Sequence, residues 1–174
     1  VTNRFDIKQN HAILFSTYQQ SGWRIAFGGD YLDQRLDSTT AYDEGRRTRG
    51  AGFLQVGYSG AGQSVQAGLR RDDDSQFGGF TTGDIRYGWA FTPRWRLSAA
   101  IGTAYKAPTF NDLYYPGFSN PDLTVERSRN QELALRYQTS GQTVQATLFY
   151  NQLYDLIAYD YATSKPQNIQ EATA

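Results

Sequence analysis

Apolar and polar positions alternate along most of this chain with a period of two. In residues 23–31 the odd positions are Trp, Ile, Phe, Gly and Tyr, and the even ones are polar or small. The same beat runs through 85–91 and 95–105. It recurs at Leu54, Val56, Tyr58, at Val65, Ala67, Leu69, at Leu133, Leu135, Tyr137 and at Val144, Ala146, Leu148, Tyr150. Such alternation gives each β-strand one apolar and one polar face. No segment carries the 3.6-residue period of an amphipathic helix. Tight-turn signals at Gln20-Ser21-Gly22, Gly60-Ala61-Gly62, Thr92-Pro93 and Ser140-Gly141 alternate with longer polar links near 36–47, 74–80, 107–126 and 160–167. Strand, short turn, strand, long link, four times over, predicts about eight antiparallel strands.

The strands are long. Each runs roughly 11–14 residues, against about 5–6 in a globular strand and about 9–11 for one crossing a bilayer at a tilt. Aromatic residues supply an independent sign. Trp23, Tyr58, Trp89, Phe91, Trp95 and Tyr137 lie within a few residues of a tight turn, and Tyr31, Tyr105, Tyr150 and Tyr154 lie near the other strand ends. Two aromatic belts around an aliphatic band mark a transmembrane β-barrel at its two interfaces. A soluble β-sandwich would show shorter strands and no regular alternation of short and long connections. The expected fold is therefore all-β, a segment of an antiparallel transmembrane barrel. Its tight turns would face the periplasm and its long links the exterior. Arg86, Arg96, Glu132, Arg136 and Gln145 would face the lumen.

Composition fits that picture and narrows the chemistry. The 174 residues include 17 Lys+Arg and 17 Asp+Glu, so the formal net charge is zero and a basic nucleic-acid surface is not expected. Thirteen Tyr residues and a mean hydropathy of −0.62 suit strands with one lipid face and one wet face. Absence of Cys excludes disulfides and thiolate sites. Absence of Met, with Val1 leading, reads as a processed protein or an excerpt.

Three places could carry chemistry. The single His, His11, sits inside a strand with no nucleophile signature beside it. A lumen or interface His is the plain reading, and no catalytic residue is assigned. Asp72-Asp73-Asp74 could hold calcium, but the spacing lacks a downstream bidentate Glu, and strand-end carboxylates facing Arg70 and Arg71 are the plainer account. The link at 107–126 combines aromatics, prolines, amides and acids. It suits capture of a bulky amphipathic ligand, or equally a loop packed on itself as a lid. Phe110, Asp112, Tyr114, Tyr115, Phe118 and Asn120 are the candidates for ligand contact or lid closure.

Residues 102–108, Gly-Thr-Ala-Tyr-Lys-Ala-Pro, followed by Asn120-Pro121-Asp122-Leu123 and Glu126-Arg127-Ser128, resemble a hallmark of TonB-dependent outer-membrane receptors. Val125 stands where that pattern has Pro. Tyr31-Leu32-Asp33-Gln34, residues 72–78 and residues 155–160 further resemble members that transport cobalamin (vitamin B12), in the same order and at similar spacing. The resemblance implies a barrel of about 22 strands closed by a plug. Residues 1–174 would be a middle part of the barrel domain, lacking the plug and the remaining strands. It further implies TonB-driven uptake at the outer membrane, with no enzymatic activity and no cofactor in this segment. Partners would be cobalamin or a siderophore, outer-membrane lipid and, through the plug, the TonB complex. Family residues for cobalamin and for calcium in the full receptor lie mostly outside this segment, so none is assigned here. The alternatives are a ferric-siderophore receptor and a complete small eight-stranded barrel, adhesin-like or enzymatic.

Overall fold

The computed structural model describes residues 4–42 and 44–173. Val1 and Ala174, and position 43 of the first long link, lie outside the described residues. Among the described residues, nine strands form one antiparallel sheet in chain order. They are β1 (Phe5–Gln20), β2 (Trp23–Ser38), β3 (Arg46–Gly60), β4 (Gln63–Asp74), β5 (Gly78–Ala90), β6 (Trp95–Lys106), β7 (Glu126–Gln138), β8 (Thr143–Asp160) and β9 (Lys165–Thr173). One short helix, α1 (Phe110–Tyr114), lies between β6 and β7.

The sheet is larger than the alternation alone predicts. Two of the expected long links shrink to residues 75–77 and 161–164, and β9 takes up most of the rest. The reason is physical. Where strands project beyond the membrane both faces are wet, so the apolar/polar beat fades while the hydrogen-bonded ladder continues. The tight turns form as expected. Ser21 and Gly22 have φ of 49° and 85°, and Ala61 and Gly62 have 49° and 75°. Two successive positive φ values match the turns that fit the strand twist. A side chain at Gly22 would also meet the Ser59 carbonyl at 2.5 Å.

Register separates the two faces. Ile25, Val56, Ala67, Ile85 and Ile101 form one cross-strand row, beside Phe27, Leu54 and Leu69. Leu54, Leu69 and Ile85 stay exposed, which in this family of folds means exposed to lipid. Near the tight turns, Trp23 meets Tyr58 at 5.1 Å, Trp89 meets Phe91 at 5.4 Å and Trp95 meets Tyr137 at 4.8 Å. This is the expected lower aromatic belt. On the opposite face Arg24, Gln66, Arg86 and Glu132 share a row, and Arg96 pairs in register with Arg136 and through it with Gln145. Of these, Arg24, Gln66, Arg86, Arg96 and Glu132 line a trough of about 950 Å³ on the lumen side. Tyr105 departs from the expected upper belt. Its ring stacks on Phe80 at 4.4 Å and lines an inner cavity with Arg70 and Asp72.

Most of the apolar burial is in one place. Phe110, Leu113, Leu123 and Val125, all in the 107–125 connection, are at most 4% exposed. A single sheet in lipid has no second layer, so this connection makes a small core of its own at the outer end of the wall.

Candidate functional site

The long connection begins and ends on a paired residue couple. Lys106 and Glu126 are register partners on β6 and β7, joined by an ion pair of 3.0 Å. Glu126 also accepts from the Ile157 amide at 2.8 Å, just past Asp155, whose φ of 56° marks where β8 departs from β7. The hallmark Lys and Glu therefore clamp the base of the loop.

From that base the chain folds over the lumen face. Thr109 and Asp112 form a reciprocal cap on α1. The Asp112 carboxylate accepts from the Thr109 amide at 2.9 Å and from its hydroxyl at 2.7 Å, and the Asp112 amide donates to Thr109 Oγ1 at 3.2 Å. Such a cap supports a five-residue helix that propensity alone would not. Arg47 of β3 then pins the loop. Its Nη1 donates to the Pro108 carbonyl at 2.8 Å, and its guanidinium lies 5.1 Å from the Phe110 ring centroid and 5.9 Å from that of Phe77. Tyr42 donates to Asn111 Oδ1 at 2.8 Å, and Gln76 donates to the Tyr114 hydroxyl. Burial, with Tyr115 close by, pushes the Tyr42 hydroxyl above its ordinary pKa.

The far side is tied to the β8–β9 hairpin. Asn120 Nδ2 donates to the Pro166 carbonyl at 3.0 Å. Asn168 accepts from the Thr124 amide at 2.9 Å and donates to the Thr124 and Asp155 carbonyls at 3.1 and 2.6 Å. The loop is a strap held at both ends.

The six sequence candidates separate into two groups. Phe110 is 1% exposed and packs under the loop, and Asp112 is occupied by the helix cap. Tyr114 is half-buried against Gln76, and Asn120 ties loop to hairpin. Only Tyr115 and Phe118 present open ring surface, at 39% and 41%. Neither stands alone. Tyr115 meets Tyr42 edge-on at 6.2 Å and Phe118 at 6.4 Å, and Phe118 stacks on Tyr159 at 5.1 Å and 11°. The sequence reading missed Tyr42, Arg47, Tyr159 and Asn168. Tyr159-Asp160-Tyr161 at a polar turn was the available signal: aromatics where neither lipid nor a core calls for them.

The other two candidate sites are structural. His11 Nε2 lies 3.3 Å from Asp30, whose second oxygen takes Arg70 Nη1 at 2.6 Å. Asp72 is gripped by Arg70 at 2.8 Å and approached by Arg49 at 3.5 Å. Asp74 accepts from the Gln76 and Phe77 amides, closing the β4–β5 turn. Asp73 falls on the opposite face of β4. The three carboxylates thus do not converge, and they do not fit a calcium site by themselves.

Long strands, a lipid face with a belt of aromatics, a polar lumen and a strapped outer loop define a wall section of an outer-membrane β-barrel receptor. The family model "TonB dependent receptor-like, beta-barrel" matches residues 2–174, and the chain belongs to this family of outer-membrane proteins. It is 32% identical over 146 residues to the vitamin B12 transporter BtuB of Vibrio vulnificus, covering 82% of this chain and 24% of that protein. The chain thus spans about a quarter of the length of the curated relatives it matches. In fold it is similar to the siderophore receptor PirA from Pseudomonas aeruginosa, with a TM-score of 0.85 and 18% identity over 98% of this chain and 36% of that one. The Pseudomonas aeruginosa ferric enterobactin receptor, in complex with enterobactin, gives a TM-score of 0.79 and 19% identity, over 99% of this chain and 33% of that one. These relatives are transporters and receptors, not enzymes.

Proposed function

We propose that this segment forms wall and outer loops of a TonB-dependent transporter that takes up cobalamin across the outer membrane. The observation that carries the ligand is the 32% identity to a vitamin B12 transporter through 82% of the chain. The siderophore receptors share the fold at 18–19% identity, which speaks to architecture alone. In this reading the lipid face holds the barrel in the membrane. The strapped 107–125 connection shapes the outer mouth, and Tyr115 and Phe118 meet the ligand. Coupling to the TonB complex would run through parts of the receptor outside this segment.

Uptake of labelled cobalamin by cells carrying the full-length receptor tests the assignment. Unlabelled cobalamin is expected to compete and a ferric siderophore is not. Preferential competition by the siderophore overturns it in favour of a siderophore receptor.

A further inference from the structure

We propose that the membrane-facing side of β1–β3, at its outer end, holds a phosphorylated lipid of the outer leaflet through a cross-strand row of cations, Lys8, Arg35 and Arg46. Lys8 is the register partner of Arg35, and Arg35 of Arg46. They therefore lie side by side, about 5 Å apart at Cβ. The row shares the face that carries Trp23, Ile25, Phe27 and Tyr31 on β2 and Leu54, Val56 and Tyr58 on β3. The next residue of β3, Arg47, points to the other side and pins the loop over the lumen. The site belongs to the outside of the wall and stands whichever ligand the receptor takes up.

Height puts the row at the lipid phosphates. Trp23, in the tight-turn belt, and Asp33 lie ten residues apart on one strand, about 33 Å of extended chain. At the usual strand tilt this is about 25 Å in height, the full depth of a barrel's apolar band. Tyr31, half exposed, lies just below that level. Arg35 and Arg46 both lean back to the Asp33 carboxylate, at 2.9 and 3.0 Å, so their guanidiniums sit at the top of the band. That is the headgroup layer, about 5–7 Å thick on each side of a bilayer.

Fold stability does not call for such a row, because like charges directly opposite one another on a sheet are destabilising. Nearby acids offset it only in part. The Asp33 side chain is 10% exposed and is shared by two guanidinium side chains that are 59% and 58% exposed, so the surface presents the cations and not the carboxylate. Arg35 and Arg46 each spend Nε and Nη2 on Asp33, and among the described residues neither Nη1 has a partner. Lys8 reaches Asp37 only at 3.4 Å, with both side chains more than half exposed, and pairs of that kind contribute little. Guanidiniums with donors to spare suit phosphate oxygens. Each cation near a membrane surface adds to its affinity for anionic lipid.

Titration of the purified full-length receptor, in a neutral detergent, with bis-phosphorylated lipid A tests the site. The same lipid stripped of phosphate, and inorganic phosphate, are the comparison probes. Stripping the phosphates is expected to raise the Kd about tenfold or more. The double substitution Lys8→Gln, Arg35→Gln, which leaves Arg46 on Asp33, is expected to raise the lipid A Kd about twentyfold. Asp33→Asn removes the anion beneath the row and is expected to lower the Kd about threefold, a gain that a merely structural role for these residues would not give. Raising salt from about 0.05 to 0.5 M should weaken binding about tenfold. Arg24→Gln, on the lumen face, is expected to leave it unchanged. An unchanged Kd in the double variant, with the barrel shown assembled by heat-modifiable migration, overturns the site, and so does equal binding of the stripped lipid. Displacement of lipid A by millimolar inorganic phosphate would make it a site for a free anion and overturn the lipid assignment.

Discussion

At the residue scale, Arg47 does most to hold the outer loop. It is buried, supplies the donor for the Pro108 carbonyl and lies against the Phe110 ring. Arg47→Ala leaves that carbonyl without its donor and the ring without its cation, at a cost of about 2–4 kcal/mol to the loop. Phe110→Ala opens a cavity at a cost of about 3–5 kcal/mol. Both are expected to speed protease cleavage within 107–125 in the full-length receptor, and an unchanged rate would remove Arg47 from this role. Asp160 gives a pH dependence. Its carboxylate accepts from the Ala162 amide at 2.9 Å and the Thr163 hydroxyl at 2.8 Å, which hold it below the ordinary carboxylate pKa. A lowered folded value means that the support is fully present above about pH 3.9, the unfolded value, and is lost as pH falls through the folded one. Hydrogen exchange at 161–164 is therefore expected to be protected alike at neutral and mildly acidic pH, and to lose protection only in stronger acid.

At the element scale, the two faces of one strand should respond oppositely to charge. Leu69 lies on the lipid face of β4 and Gln66 on the lumen face. Leu69→Arg is expected to cost about 2–4 kcal/mol in a bilayer and Gln66→Arg close to nothing. Reconstitution yield into vesicles measures the difference, and equal yields would reverse the assignment of faces. The long connection is separable from the wall, because Lys106 and Glu126 close its base. Deleting residues 110–122 from the full-length receptor is expected to weaken cobalamin uptake while leaving barrel assembly intact. Unchanged uptake would show that the loop takes no part.

At the scale of the whole molecule, a nine-stranded sheet in chain order has two unpaired edges, β1 and β9. Open edges are not tolerated in lipid, so a sheet with these two edges unpaired is expected to insert poorly. Expressed by itself, the 174-residue segment is expected to aggregate in vesicles under conditions where the full-length receptor inserts. Monomeric insertion of the segment would instead mean that nine strands close on themselves.

The strands, their two faces, the tight-turn belt and the hallmark around 102–128 were legible in the chain alone. These are local matters: a strand's period of two is imposed by backbone geometry, and lipid and water sort the side chains that it presents. The wet extensions of β4, β5 and β8 were not legible, because the same sorting is absent outside the membrane. The fate of the loop aromatics was not legible either. Phe110, Tyr115 and Phe118 read alike in sequence, as aromatics in a polar link. What buries the first and exposes the others is a set of contacts between distant positions: Arg47 with Pro108, Tyr42 with Asn111, Asn120 with Pro166. No periodicity encodes such pairs. The sequence by itself determined a membrane wall and which side of it faces lipid. Only the tertiary structure decided which rings pack the strap and which remain open to a ligand, since that depends on where separate loops meet in space.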